Sequence, residues 1–318
     1  MKNVTNLNIF ETNLIDGPMR LKYDYFPEIT GGVSRRKITD DMTEEMEDEF
    51  LKLRLNAGEK YGFDGKKIIV PSEEDVVKKG DYFVADFDVY NMDDDLWNVD
   101  IPGDIVLLKE DNPGIVIAYP VSDDPVLIIE DQVNKVTALT HCNIDRISRK
   151  IPIYAVKALI DEVGSNPKDL KVYISSHIKR DSNVYIRKPK SVRENREIWK
   201  KCVSHRQTKD KKNTNSERNM KFKVYRMYNK FLSEISCKID QERAIINMLV
   251  KMGINMDNIT VSKFDTYKEP LYYSDRRVNV TKEESIKGKF LVGAYYENTF
   301  PNYNSNCEYT GKSLIKKL

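Results

Sequence analysis

Apolar residues recur along this chain in two alternating periods. Residues 43–61 (TEEMEDEFLKLRLNAGEKY) carry Met46, Phe50, Leu53 and Leu55 at helical spacing, with Thr43 placed to cap the first turn. From residue 66 to residue 141 the pattern breaks into short runs: KKIIVP, GDYFVADF, GDIVLLKE, IVIAYPV, DDPVLIIED and KVTALTH. Their β-branched residues and Gly, Pro and Asp boundaries predict strands, and the wholly apolar runs suit strands covered on both faces. IPIYAVKALIDEV at 151–163 predicts a helix, with Pro152 tolerated in its first turn, and KVYISSHI predicts a further strand. Residues 187–220 are polar and basic without apolar periodicity, and 207–219 (QTKDKKNTNSERN) predict an exposed or disordered loop. Helical spacing returns over 222–254, with Gly253 as a stop, and the strand-like runs NITVSKF and KFLVGAYYE flank YYSDRR. Strands and helices interleave without a break. This predicts one α/β (mixed α+β) domain over 1–298, with mixed sheets flanked by helices, an insertion at about 187–220, and a polar tail over 299–318.

Charge sharpens this picture. The formal net charge is only +2, yet residues 40–49 carry seven acids and no base, and residues 86–100 carry six aspartates and no base. Residues 179–223 carry sixteen Lys or Arg against five acids. Such blocks form solvated faces or loops, or docking surfaces for oppositely charged partners. No apolar run reaches the roughly 18 residues that a membrane helix needs. The first residues lack a basic start followed by an apolar stretch, so the expected location is cytoplasmic, without membrane insertion. The four cysteines, Cys142, Cys202, Cys237 and Cys307, form no CxxC pair, and reduced thiols are expected. Three histidines, His141, His177 and His205, limit every metal hypothesis.

Six segments stand in an order that resembles the YfiH-like (laccase-domain, purine nucleoside phosphorylase) family: GGVS at 31–34, GDIVLLKEDNPGIVIAYPVSDDPVLIIED, KVTALTHCNIDRI, YISSHIKRDSNVYI, LVKMGINMDNITVSKFDTY and LYYSDRR. The resemblance implies that family's fold and a zinc site of two His and one Cys with an open position for phosphate or water. Carried onto this chain, the strand-end histidine falls on His141 and the cysteine falls on Asp123. The other histidine falls near Glu73, Glu74 and Asp75, where no histidine stands. The family's Gly-Trp-Arg-Gly after the histidine becomes Asn143-Ile144-Asp145-Arg146. The expected outcome is loss of the site and no cofactor; a site rebuilt from one His and carboxylates would suit manganese or magnesium better than zinc.

Each candidate residue has a bland alternative. His141 is a metal ligand and acid–base group, or a strand-end histidine bonded to backbone. Asp123 with Asp124 holds a cation, or forms a turn before Pro125. Arg276 and Arg277 bind an anion, or one of them is buried against Asp275 or Asp265. His177 and Cys142 are expected to pack and His205 to be solvated. The acidic stretch 93–100 lacks the loop spacing of a calcium site. The basic segment 179–223 interleaves Tyr185, Trp199, Phe222 and Tyr225, a composition suited to single-stranded nucleic acid or to a protein partner. The expected function is a non-catalytic structural or assembly protein acting as a homo-oligomer or with protein partners. The abundance of Lys, Asn, Ile, Asp and Tyr suggests an AT-rich genome, for which a phage virion is a natural setting. The alternatives are a metal-dependent nucleoside phosphorylase or hydrolase acting on adenosine or inosine, and a nucleic-acid binder.

Overall fold

The computed structural model describes residues 7–13, 44–72, 81–85, 101–111, 114–205, 236–282, 288–297 and 314–317. In chain order the elements are β1 (Leu7–Glu11), α1 (Glu44–Tyr61), β2 (Ile68–Ile69), β3 (Pro71–Ser72), β4 (Asp81–Ala85), β5 (Ile101–Pro102), β6 (Val106–Lys109), β7 (Val116–Val121), β8 (Val126–Asp131) and β9 (Val136–His141). They continue with α2 (Ile144–Ser148), α3 (Ile151–Val163), β10 (Leu170–Ile174), β11 (Val184–Tyr185), α4 (Lys190–Glu194), α5 (Arg196–Trp199), β12 (Val203–His205) and β13 (Cys237–Ile239). The last are α6 (Gln241–Lys251), β14 (Ile259–Val261), α7 (Asp275–Thr281), β15 (Phe290–Tyr296) and β16 (Leu314–Lys317).

Two sheets carry the fold. A four-stranded sheet runs β1-β15-β7-β2, and a seven-stranded sheet runs β14-β10-β8-β9-β6-β4-β16. Both mix parallel and antiparallel pairs. The sheets face each other across a core that includes Val106, Leu108, Ile117, Tyr119, Ile128, Leu139, Val292 and Tyr296. The other face of the four-stranded sheet packs Phe10, Ile68, Val116 and Tyr295 against Tyr61 of α1 and Phe63. The other face of the seven-stranded sheet packs Leu107, Leu127 and Ala138 against α2, α3 and α6. Strands covered on both sides must be apolar throughout, and β7 and β8 are buried at every position. Gly293 sits where β15 is most crowded: a Cβ there would lie 2.4 Å from Ile117 O and 2.9 Å from Phe10 Cε1.

The predicted helices at 43–61 and 151–163 are observed as α1 and α3. The region expected to be helical over 222–254 differs. Cys237–Ile239 forms β13, paired with β11 and β12, and α6 starts only at Gln241, where the Asp240 carboxylate accepts from Arg243 N at 3.0 Å. Local spacing favoured a longer helix, but pairing with two strands and a strong N-cap decided otherwise. Residues 314–317, read as part of the polar tail, form an antiparallel edge strand on β4. The segment 187–205, read within an exposed insertion, holds α4, α5 and β12. Its Val192 and Trp199 are buried in the helix-side core. GGVS at 31–34, the acidic stretch 93–100 and the loop 207–219 lie outside the described residues.

Candidate functional site

The site forms where β9, the β7–β8 turn and the starts of α6 and α7 converge. His141 ends β9 in register with Val126 of β8. The intervening Ser122-Asp123-Asp124-Pro125 turn is tied down by its own backbone. Pro125 O accepts from Cys142 N at 2.8 Å and Asp123 O accepts from Ile178 N at 2.9 Å. This holds the two aspartates in a rigid frame, and their carboxylates take different roles.

Asp124 faces the histidine, with its Oδ2 3.9 Å from His141 Nε2. Its Oδ1 accepts from Gln241 Nε2 at 2.8 Å, and Gln241 Oε1 accepts in turn from Asn183 Nδ2 at 3.3 Å. Asp123 is wired inward. Its Oδ1 accepts from Thr266 Oγ1 at 2.8 Å and its Oδ2 accepts from the backbone N–H of Arg276 at 2.8 Å. Burial raises the Asp123 carboxyl above the usual range, against hydrogen bonds from Arg276, Ser274 and Thr266 that favour its charged form. The residue standing at the position of a thiolate ligand therefore joins the α7 start to the β7–β8 turn.

The two arginines also part company. Arg276 donates Nη1 to Val184 O at 2.7 Å, and its guanidinium carbon lies 4.4 Å from the centre of the Tyr185 ring. Burial, opposed by Arg276 and reinforced by Asp124 and Asp123, pushes the Tyr185 hydroxyl up to about 12. Arg277 donates to the carbonyls of Thr266, Tyr267, Glu269 and Tyr272, closing the loop that leads to α7. The aspartates expected as alternative partners bond elsewhere: Asp265 accepts from Ser182 Oγ at 2.7 Å, and Asp275 accepts from Ser122 Oγ at 2.7 Å. His141, Asp124, Tyr185 and Arg276 thus share one polar cluster, whereas the Arg277 fork is spent on backbone.

His177 is 1% exposed and lies in a second cluster. Its Nδ1 is 2.6 Å from Ser175 O and its Nε2 is 3.5 Å from Glu242 Oε2, a long contact of ion-pair kind. Lys179 Nζ donates to the same carboxylate oxygen at 2.9 Å and to Ser262 O at 2.6 Å. The His177 ring and, after it, Lys179 hold the Glu242 carboxyl down at about 2 despite burial. A carboxyl whose folded value lies below its unfolded one stabilises the fold above the unfolded value. That stability is lost as pH falls through the folded value. Between about pH 4.5 and pH 2 the wild type should therefore lose about 1–2 kcal/mol more than Glu242→Gln, the ideal linkage value being reduced by solvent screening. Urea denaturation across that range measures it; parallel curves for the two proteins would contradict the coupling.

Sequence reasoning placed His141 and Asp123 but missed the Gln241–Asn183 link and the Glu242–Lys179–His177 cluster. Gln241 and Asp124 are 117 positions apart, and no periodicity signals that contact. Glu73, Glu74 and Asp75 lie outside the described residues, as do the side chain of His205, Phe222 and Tyr225. Among the described residues no group of three or more His, Cys, Asp or Glu is placed to hold a metal ion. No helix is long and apolar enough to cross a membrane, among the described residues.

Residues 107–292 match the family model described as multi-copper polyphenol oxidoreductase laccase. No curated protein matches the chain by sequence. Three solved structures share its fold. The hypothetical protein YfiH of Bacillus licheniformis superposes with a TM-score of 0.60 at 15% identity, covering 92% of this chain and 93% of that one. YlmD from Geobacillus stearothermophilus gives 0.59 at 14% identity, with 94% of each chain covered. The Neisseria meningitidis protein NMB0706 gives 0.56 at 10% identity, covering 93% of this chain and 96% of that one.

Proposed function

Since the chain belongs to the multi-copper polyphenol oxidoreductase laccase family, we propose that it keeps the family fold without metal chemistry and serves as a non-catalytic structural or assembly protein. The observation that carries this reading is the commitment of Asp123. At the position where the family resemblance places a thiolate, both carboxylate oxygens are taken by Thr266 Oγ1 and Arg276 N. A ligand there would have to break the joint between the α7 start and the β7–β8 turn.

The remaining donors do not fit the metals that the family suggests. Zinc takes four ligands, three of them from protein in an open site. The described residues offer the His141 ring and one oxygen of Asp124, whose other oxygen is held by Gln241. Several copper ions need several imidazoles or thiolates. The chain has three histidines, one of which, His177, is committed to Ser175 and Glu242. Protein purified without chelator, after growth with added zinc, manganese or copper, should carry far less than one metal ion per chain. It should carry no more than its His141→Ala variant. About one metal per chain, lost in His141→Ala, would instead mean a rebuilt site.

A second reading is favoured by the grouping of His141, Asp124, Tyr185 and Arg276. A histidine paired with a carboxylate beside a stacked arginine can exchange protons and hold an anion, the tools for phosphorolysis or hydrolysis of adenosine or inosine. Turnover of either nucleoside, with phosphate and each of zinc, manganese and magnesium, tests it directly.

A further inference from the structure

The chain's acidic and basic blocks fall on opposite outer faces of the fold. The C-terminal half of α1 packs through Ala57 and Tyr61 on the outside of the four-stranded sheet. The same helix begins with Glu44, Glu45, Glu47, Asp48 and Glu49. Helices α4 and α5 pack through Val192 and Trp199 on the outside of the seven-stranded sheet. Two sheets and the core between them separate these layers.

On the α4–α5 face, Arg187, Lys190, Arg193, Arg196, Lys200 and Lys201 are exposed, against Glu194 and Glu197. Among the described residues this stretch makes one ion pair, Lys190 to Glu194 at 3.9 Å, on two well-exposed side chains. Packed sheets lie about 10 Å apart, and a helix layer on each side adds about 10 Å more. The blocks are thus separated by roughly three times the Debye length of about 8–10 Å at ordinary salt, and they cannot neutralise each other within one molecule. Trp199, the aromatic that could have served single-stranded nucleic acid on this face, is 2% exposed and donates its Nε1 to Ser148 Oγ at 2.9 Å. Without it the described face offers charge but no large ring on which a base could stack.

We propose that the basic face of α4 and α5 docks the acidic first turns of α1 from a second copy of this chain, head to tail. Each copy then presents one free acidic end and one free basic face. Such a heterologous contact propagates into a ring or a filament rather than stopping at a dimer. This inference rests on the assembly reading above, which metal content and nucleoside turnover test separately.

The experiment uses the full chain and two charge-reversal variants. One is Arg193→Glu/Arg196→Glu/Lys200→Glu, and the other is Glu44→Lys/Glu47→Lys/Asp48→Lys. Sedimentation velocity at low and high salt reads association, and thermal unfolding checks that both variants fold. The wild type should associate at low salt and come apart at high salt. Each variant alone should associate at least about tenfold more weakly, because like charges then meet. An equimolar mixture of the two should recover association, because each reversed surface again finds its opposite. A wild type that stays monomeric at low salt overturns the proposal, as does a mixture that stays dissociated. Unchanged wild-type association combined with loss of DNA or RNA binding in the basic-face variant would assign that face to nucleic acid instead.

Discussion

Replacing Arg146 by alanine should lower the free energy of unfolding by about 3–5 kcal/mol, because it strands a carboxylate inside the protein. Arg146 donates Nη2 to Asp104 Oδ1, and the side chains of the pair are 5% and 0% exposed. Its Nη1 also reaches the carbonyl of His141 at 3.4 Å, so the same guanidinium steadies the end of β9 where the polar cluster begins. Thr140 Oγ1 donates to Asp104 O at 2.5 Å and ties the same corner from the neighbouring position. The cost comes mainly from leaving Asp104 desolvated and unpaired rather than from the attraction lost. The double replacement Arg146→Met/Asp104→Leu, which removes both charges, should therefore be markedly more stable than Arg146→Ala. Urea denaturation of the three proteins decides this. A loss below about 1 kcal/mol in Arg146→Ala would mean that water reaches Asp104 and that the pair behaves as a surface bridge.

The second large effect is expected at Trp199. A segment that is only an exposed insertion tolerates substitution within about 0.5 kcal/mol, whereas a large side chain in a packed core costs about 3–5 kcal/mol when cut to alanine. Trp199 packs in the helix-side core with Val192, and its Nε1 bonds Ser148 Oγ of α2, which itself donates to Ile144 O at 2.8 Å. Trp199→Ala should fall in the larger range. Trp199→Phe, which keeps most of the ring area but loses the N–H, should cost less. If both variants unfold at the wild-type midpoint, α4 and α5 are not part of the core. The outcome also bears on assembly, since only a face anchored by its core residues can present a fixed row of cations to a partner.

Much of the architecture was legible because it depends on local pattern. Wholly apolar runs such as IVIAYPV and PVLIIE can exist only as strands covered on both sides, and they became β7 and β8. IPIYAVKALIDEV carries its own helix period and is followed by Gly164 at φ 69°, so α3 matches its predicted limits. The order of short motifs was enough to indicate the family, although identity to the solved relatives is at most 15% among those compared above.

The sequence by itself determined what this chain lacks in donors: three histidines and no cysteine in the Ser122–Pro125 turn. It also determined that acids and bases are segregated into blocks. Only the tertiary structure decided what each polar residue does. Asp123 and Asp124 are adjacent and chemically identical, yet one turns inward to Thr266 and Arg276 while the other faces His141 and Gln241. Arg276 and Arg277 divide in the same way, one stacked on Tyr185 and the other bound to four carbonyls. Trp199 reads as part of a basic, polar stretch and is nevertheless core. The physical reason is common to all three cases. Hydrophobic period is a local property of the chain, but the partner of a polar group is set by which distant segment the folded sheets bring within about 3 Å, and neighbouring residues point to different sides of that packing.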